Sequence, residues 1–571
     1  MEMRDFVVRF AGEGGQGVVT SAEGLAQAAT QVGYHALTFA TFPSQILGGP
    51  TWTQARISVD PILSPGDDVD VLVAFNQDAY DEHNPDVRDE GVIIFNSNEF
   101  QLEGDARGFG LPFDELAKST GNARAANMVI IGALAHLVDM PQTYLEEFVT
   151  KRFTRGRSGD DEIIKANIQA MTLGREHISE SGLALGALAA PKPPDYAQVM
   201  LKGNEAISLG ALAGGLDFYA GYPISPATTI LLYMERNLVG EGKFAHQVSS
   251  EIESITALLG AGFAGKKAMT ATAGPGFSLM SEGLGLGWIA EIPLVVVDVQ
   301  RGGPATGLPT KTEQSDLMAC MFPAHGDVRM PVIAVGTVEE CFYGAIKALN
   351  WAERYQGPVI LMTEMSLAER VQNIQKPDLS KVEDQRRQTY QGSNGYNRYA
   401  GFELSPMPVP GNPGSYVANG SEHDDMGDTT HLGSRHIQMT ERRFSKLKLL
   451  EEDEYERDNT EESIAMMPWG GSKGPAQEAY IQLKASGVPV GWYYTMNLSP
   501  LPPKLLEELK KKDLVLVPEL NYQGQFANIL RSQGVKAEAI TQYTGLPFKV
   551  RDLVKRVTEA TETVRKEAAG V

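Results

Sequence analysis

The sequence predicts a multidomain α/β protein, and three observations carry that prediction. The chain has 571 residues, which at roughly 100–200 residues per domain makes about three to five cores. Its composition, 42% hydrophobic and 21% charged, is that of a packed globular protein and not of a disordered one. Short β-branched runs alternate along the chain with longer segments of helical period, the pattern of strands joined by helices.

Residues 5–11, "DFVVRFA", read as a buried strand, and "GEGGQG" leads from it into the helical segment "VVTSAEGLAQAATQ". The runs "DVLVAF" and "VIIFN" follow, alternating with helical segments. A mainly parallel α/β domain is expected over 1–185. The proline-rich stretch around Lys192 reads as a linker over 186–199. Over 200–367 the strands "LDFYAGYP", "KAMTATA", "IPLVVVDVQ" and "GPVILMTE" build a second α/β unit. Residues 368–467, rich in Gly, Pro, Asp and Asn, lack periodicity and read as an excursion or linker that wraps a neighbour. Within them "MTERRFSKLKLLEEDEYERD" reads as a charged, solvent-exposed helix. Residues 468–571 restore the alternation with "VGWYYT", "LVLVPEL" and "VKAEAI".

Fifty Lys and Arg face 72 Asp and Glu, a net charge of -22, which argues against nucleic acid and anionic membranes as partners. Two cysteines, Cys320 and Cys341, cannot ligate an iron–sulfur cluster alone and exclude a disulfide framework, so a cytoplasmic compartment is expected. The N-terminus "MEMRDFVVRF" lacks the basic and apolar regions of a signal peptide. The longest apolar runs fall short of the ~20 residues of a membrane span.

Three motifs carry candidate chemistry. Gly12-Glu-Gly14-Gly15-Gln-Gly17 fits GxGxxG between strand and helix, where backbone approaches a ligand closely. No acidic residue follows about 20 positions on to hold a ribose, so a tight turn is favoured over nicotinamide binding. Tyr222-Pro223-Ile224-Ser225-Pro226 places a rigid serine after a strand. Spacing alone favours Ser225 as the cap of the next helix, without excluding a ligand at the carboxyl end of the sheet. In "SSEIESITALLGAGFAGKKAMTATAGPGFSLMSE" (249–282), Glu251 heads a small-residue helix that leads to Thr-Ala-Gly-Pro-Gly. That turn lacks the lysine of a Walker loop, and a half-buried carboxylate at its helix head needs a partner.

Taken in order, Glu251 with its small-residue helix and Gly-Pro-Gly turn, "GYPISPATT", "VDVQRGGPATGLPTKTEQSDL" and "PELNYQGQ" resemble the alpha subunit of 2-oxoacid:ferredoxin oxidoreductases. "GEGGQG" and "LGGPTWTQARIS" are similar to the gamma domain of the same family, fused here ahead of alpha. The resemblance covers almost the whole chain. It implies a gamma domain, a pyrimidine-binding domain of the thiamine diphosphate enzyme type, and a C-terminal transketolase-like domain.

By this resemblance Glu251 hydrogen-bonds the aminopyrimidine of thiamine diphosphate, and Tyr222, Pro223, Ile224, Thr272, Gly274 and Gly276 complete that wall. Ser225 hydrogen-bonds the substrate and Arg301 clamps its carboxylate; without the resemblance, a structural ion pair is the first reading of Arg301. Gly14, Gly15, Gly48 and Gly49 are the candidate coenzyme A or lid positions, although "SQILGGPTW" lacks the charged residue expected before its glycine pair. The sequence has no Gly-Asp-Gly with a downstream Asn. Mg2+, the diphosphate site and a [4Fe-4S] cluster are therefore expected on a separate beta subunit in an (alpha-beta)2 assembly, with ferredoxin as electron acceptor.

"YVANGSEHDDMGDTT" is similar to members acting on 2-oxoglutarate, the expected substrate, with pyruvate or a branched-chain or aryl 2-oxoacid as the alternative. An NAD-binding protein or a non-catalytic partner subunit are the readings of another class. His423, Asp424 and Asp425 read as a solvated loop sooner than as a metal site.

Overall fold

The computed structural model describes residues 3–43 and 48–569, with side chains as far as residue 566. The stretch 44–47, inside "SQILGGPTW", lies outside the described residues. The chain forms two compact units, one of residues 1–201 with 370–376, the other of residues 202–369 with 377–571. Among the described residues no helix is long and apolar enough to cross a membrane.

In the first unit eight strands form one sheet, in the order Gly108–Leu111, Val87–Asn96, Val69–Ala74, Asp5–Glu13, Pro50–Ser58, His35–Thr41, Val371–Gln375, Gln198–Lys202. Asp5–Glu13 pairs in parallel with Val69–Ala74 but antiparallel with Pro50–Ser58, which pairs antiparallel with His35–Thr41. The sheet is thus mixed, and the expectation of a mainly parallel one is corrected. The connection from Thr41 to Pro50 is too short for the crossover of a dozen or more residues that a parallel pair needs, so these two strands run back on each other. The helix Val18–Gln31 lays its apolar side, including Ala22, Leu25 and Ala29, on Val8, Phe10 and Ile57.

The second unit holds two sheets. The larger runs Asn497–Ser499, Val332–Ala334, Pro358–Glu364, Leu294–Gln300, Ala268–Thr272, Phe218–Gly221, Phe244–Gln247, and every neighbouring pair is parallel except the edge strand Asn497–Ser499. Its central strands are buried on both faces, which accounts for their near-continuous apolar runs. The smaller sheet runs Glu456–Asp458, Gly491–Tyr494, Ile464–Met466, Leu514–Glu519, Ala537–Thr541.

The aperiodic region is pinned by buried cations. Arg387 binds Glu353 at 2.8 Å and donates to the carbonyls of Gly262 and Lys266. Arg398, Arg442 and Lys446 converge on the fully buried Glu291 at 3.8, 2.8 and 3.0 Å. Burial pushes the Glu291 carboxyl up, but the three cations outweigh it and hold the group well below the usual carboxylate range. The expected exposed helix is therefore corrected. A helix spans Gly433–Ser445 and a tight turn Lys446–Leu450, with Arg442, Arg443 and Lys446 turned inward. Their counter-charges, Glu291 and Glu422, are distant in sequence.

Candidate active site

Three adjacent parallel strands, Phe218–Gly221, Ala268–Thr272 and Leu294–Gln300, deliver the loops 222–226, 273–276 and 301–316 to one edge of the sheet. The carboxyl ends of such strands are where open α/β sheets take ligands. The helix Glu251–Phe263 starts at the same edge, following the neighbouring strand Phe244–Gln247.

Glu251 opens that helix without capping it. Ser250 is the N-cap and accepts from Glu253 N at 3.2 Å, while Glu253 accepts from Ser249 N at 2.7 Å. With both capping roles filled, the Glu251 carboxylate turns inward. It is 5% exposed and, among the described residues, takes part in no hydrogen bond or ion pair. The surrounding shape points to what would engage it. A Cβ built on Gly276 would stand 2.1 Å from Thr272 Oγ1 and 2.4 Å from Glu251 Oε1. Glycine is thus required where backbone, threonine and glutamate meet. The group expected there, a flat ring with a nitrogen able to share a proton with a carboxylate, fits this donor set and this narrow wall.

The second half of the site is polar. Arg301 donates from Nη1 to the Ser225 carbonyl at 2.7 Å. Its Nε is buried without a partner, and among the described residues it makes no ion pair, unlike the structural alternative read from sequence. Burial lowers its pKa while Asp316 acts to raise it. The Ser225 hydroxyl is exposed, and the capping reading is corrected: the next helix starts at Thr228 with Ala227 at its N-cap and no side-chain cap. Tyr222 is 39% exposed, and Pro223 and Ile224 are half-buried beside it. Gly274 lies against Asp316, whose Oδ2 would be 2.7 Å from a Cβ there. Sequence reasoning missed Asp298 and Asp316, two buried carboxyls behind this wall. Asp298 is fully buried and accepts from Cys320 Sγ at 3.5 Å.

The first unit carries separate features. Gly14 N donates to Gly49 O at 3.2 Å, joining the two glycine pairs. Gly15 and Gly48 have φ of 99° and 71°, and a Cβ on either would meet nothing. The adjoining pocket, about 200 Å³, is lined by Glu13, Asp78 and Glu82. A larger cleft of about 680 Å³ is lined by Asn122, Arg124, Asn127, Phe148, Arg152 and Arg155, among others. Glu162 also lines it, but among the described residues none of the three guanidinium groups pairs with a carboxylate; Arg152 donates to Gln27 at 2.9 Å and lies over Phe148. Arg152 and Arg155 come from the basic run 151–157, a signal that sequence reasoning passed over, and folding brings Arg124 to them.

The expected solvated loop holds at Asp424, which is exposed, and is corrected at His423. His423 is fully buried and packs on Tyr399 at 4.2 Å, Asp424 accepts from the backbone N–H groups of Met426, Gly427 and Asp428, and Asp425 pairs with Arg435.

Residues 209–442 match the family model of pyruvate flavodoxin/ferredoxin oxidoreductases described as thiamine diphosphate-binding, and residues 7–177 match that of pyruvate ferredoxin/flavodoxin oxidoreductases. The chain is 30% identical to the 2-oxoacid:ferredoxin oxidoreductase 2 alpha subunit of Aeropyrum pernix, over 98% of this chain and 99% of that one. It is 30% identical to the 2-oxoglutarate oxidoreductase subunit KorA of Mycobacterium tuberculosis, over 98% and 92%. Its fold is similar to that of the 2-oxoglutarate:ferredoxin oxidoreductase of Magnetococcus marinus solved with 2-oxoglutarate, coenzyme A and succinyl-CoA, with a TM-score of 0.92 and 35% identity over 98% of this chain and 100% of that one.

Proposed function

Since the chain belongs to the 2-oxoacid:ferredoxin oxidoreductases and matches their alpha subunits end to end, we propose that it is the alpha subunit of an enzyme that interconverts 2-oxoglutarate, coenzyme A and oxidised ferredoxin with succinyl-CoA, CO2 and reduced ferredoxin. The observation that carries this reading is Glu251, a buried carboxylate without a partner, set against Thr272 and a glycine that nothing larger can replace. Thiamine diphosphate bound here would supply a nucleophilic ring carbon and an electron sink for a bond broken next to the 2-oxo group. Glu251, 5% exposed, would hold a proton at the aminopyrimidine nitrogen. Tyr222, Pro223, Ile224, Thr272, Gly274 and Gly276 shape the wall on which the ring rests. Ser225 donates its free hydroxyl to the substrate, and Arg301, with its unused Nε, pairs with the substrate carboxylate.

The rest of the machinery belongs to a partner. Both cysteines are fully buried, and among the described residues no group of three His, Cys, Asp or Glu is arranged to hold a metal. A beta subunit would bring Mg2+, the diphosphate site and the [4Fe-4S] cluster. Ile252 and Leu279, 54% and 51% exposed beside the Glu251 wall, offer it an apolar landing surface. For coenzyme A, the acidic pocket at Gly14 and Gly49 repels phosphates, whereas the cleft of Arg124, Arg152 and Arg155 attracts them. We therefore assign the phosphates to that cleft, and to Gly14, Gly15, Gly48 and Gly49 a backbone-lined notch for the uncharged arm or a lid.

The test is co-expression with the beta partner, followed by assay of bound thiamine diphosphate and of viologen reduction by 2-oxoglutarate and by pyruvate. The reading predicts one cofactor per alpha–beta pair and preference for 2-oxoglutarate. A complex devoid of thiamine diphosphate overturns it, and preference for pyruvate overturns the substrate assignment.

A further inference from the structure

The motif "PELNYQGQ" (518–525) takes no step in the proposed chemistry, yet the fold brings it against the loop that Arg301 begins. It lies at the carboxyl end of the strand Leu514–Glu519, in the smaller sheet of the second unit. Gln314 N donates to Leu520 O at 2.7 Å, and Leu520 N donates in return to Gln314 Oε1 at 2.9 Å. Asn521 Nδ2 donates to Gln314 O at 3.0 Å. Gln525 Nε2 donates to Ser315 O at 2.6 Å, and its Oε1 accepts from Met318 N at 2.9 Å. The next loop of the same sheet adds Gly545 O, which accepts from Thr312 N at 3.1 Å. Gln314, Asn521 and Gln525 are all buried, so these bonds are shielded from water.

The gripping side chains are themselves held from behind. The buried Glu519 carboxylate accepts from Trp469 Nε1 at 3.2 Å, from Asn521 Nδ2 at 3.0 Å, and from the N–H groups of Phe526 and Ala527 at 2.8 and 2.9 Å. Asn521 Oδ1 accepts from Gly524 N at 2.7 Å. The grip reaches Arg301 through pairing within the loop. Gly302 N donates to Lys311 O at 3.0 Å, and Asp316 N donates to Gln300 Oε1 at 3.2 Å. Arg301 therefore stands between two residues that are each bonded to the far leg of the loop, and that leg, 311–318, is what the smaller sheet holds. Its guanidinium ends on Ser225 O at 2.7 Å.

We propose that Gln525, together with Asn521, is a positioning residue for Arg301: the "PELNYQGQ" loop clasps the far leg of loop 301–316 and so fixes where the guanidinium meets the substrate carboxylate. This rests on the reading of Arg301 as the carboxylate clamp. A clamp carried on a free loop would lose affinity to the ordering of that loop at each binding event, whereas one fixed beforehand does not.

The experiment uses the complex with its partner subunit and measures KM and kcat for 2-oxoglutarate in the native enzyme, Gln525→Ala, Arg301→Gln and the double variant. Gln525→Ala is expected to raise KM about tenfold, inside the roughly hundredfold that a misplacement of about 1 Å can cost, with kcat within about twofold and bound thiamine diphosphate unchanged. Arg301→Gln should raise KM by about tenfold or more, the loss of a charge-assisted pair. The double variant should match Arg301→Gln alone, because a positioning residue has no effect once the group it positions is gone. A purely structural Gln525 would lower the melting temperature and leave KM in place, or would multiply the KM of Arg301→Gln by its own full factor. Either result overturns the proposal while the clamp reading stands. If Arg301→Gln leaves KM unchanged, the clamp reading fails and the proposal falls with it. Should Gln525→Ala not assemble, amide hydrogen exchange of the native complex decides. The amides of Thr312, Gln314 and Met318 are expected to exchange as slowly as those of the strand Leu514–Glu519, and exchange at the rate of an open loop overturns the proposal.

Discussion

Glu251 and Gly276 are inseparable at the level of single residues, because the carboxylate keeps its inward pose only while nothing larger than hydrogen occupies position 276. Gly276→Ala is expected to destabilise the protein by about 1–3 kcal/mol, the cost of overpacking, and to abolish binding of thiamine diphosphate by the complex; a thermal melt and a cofactor assay read the two effects. The burial of Glu251 was legible in the sequence, because the small residues of its helix allow close packing around the first turn. Asp298 and Asp316 were not: one lies in the strand Leu294–Gln300, the other at the end of the loop 301–316, and only the fold shields an oxygen of each. The idle Ser225 hydroxyl was misread for a similar reason, since capping is decided by where the first helical turn begins, at Thr228, and not by the nearest serine to a proline.

The elements with β-branched, buried strands were legible as written, Leu294–Gln300 and Pro358–Glu364 among them. The direction of pairing in the first sheet was not, because it depends on the length of the chain between His35–Thr41 and Pro50–Ser58. The charged helix Gly433–Ser445 shows the other limit: periodicity reports a polar face but not the buried Glu291 that draws Arg442 and Lys446 inward. Removing that carboxylate leaves three buried cations around a neutral group. Glu291→Gln is accordingly expected to cost about 3–5 kcal/mol, measured as a fall in denaturation midpoint, with release of the aperiodic segment to proteolysis. In the first unit, Arg152→Ala together with Arg155→Ala is expected to raise KM for coenzyme A by tenfold or more while leaving KM for the 2-oxoacid within about twofold. Steady-state kinetics with each substrate varied in turn checks this.

Across the whole molecule a net charge of -22 is held together by carboxylates that the fold keeps ionised. Burial raises Asp217, but hydrogen bonds from Arg386 and Lys243 outweigh it and hold it at about 2; burial likewise raises Glu422, and Arg443 and His436 bring it to about 2. Both sit below their unfolded values of roughly 4, so their contribution is complete above about pH 5 and is lost as the pH falls toward 2. Acid titration of the thermal midpoint should show that decline, with Asp217→Asn flattening part of it. The most direct measurement of the central claim is turnover of Glu251→Gln in the complex with the partner subunit, with 2-oxoglutarate as substrate and viologen as acceptor. The account predicts a fall in kcat of about 10²–10⁴, the range for loss of a positioned acid–base group, with assembly and thermal stability intact. Full turnover by that variant would contradict it.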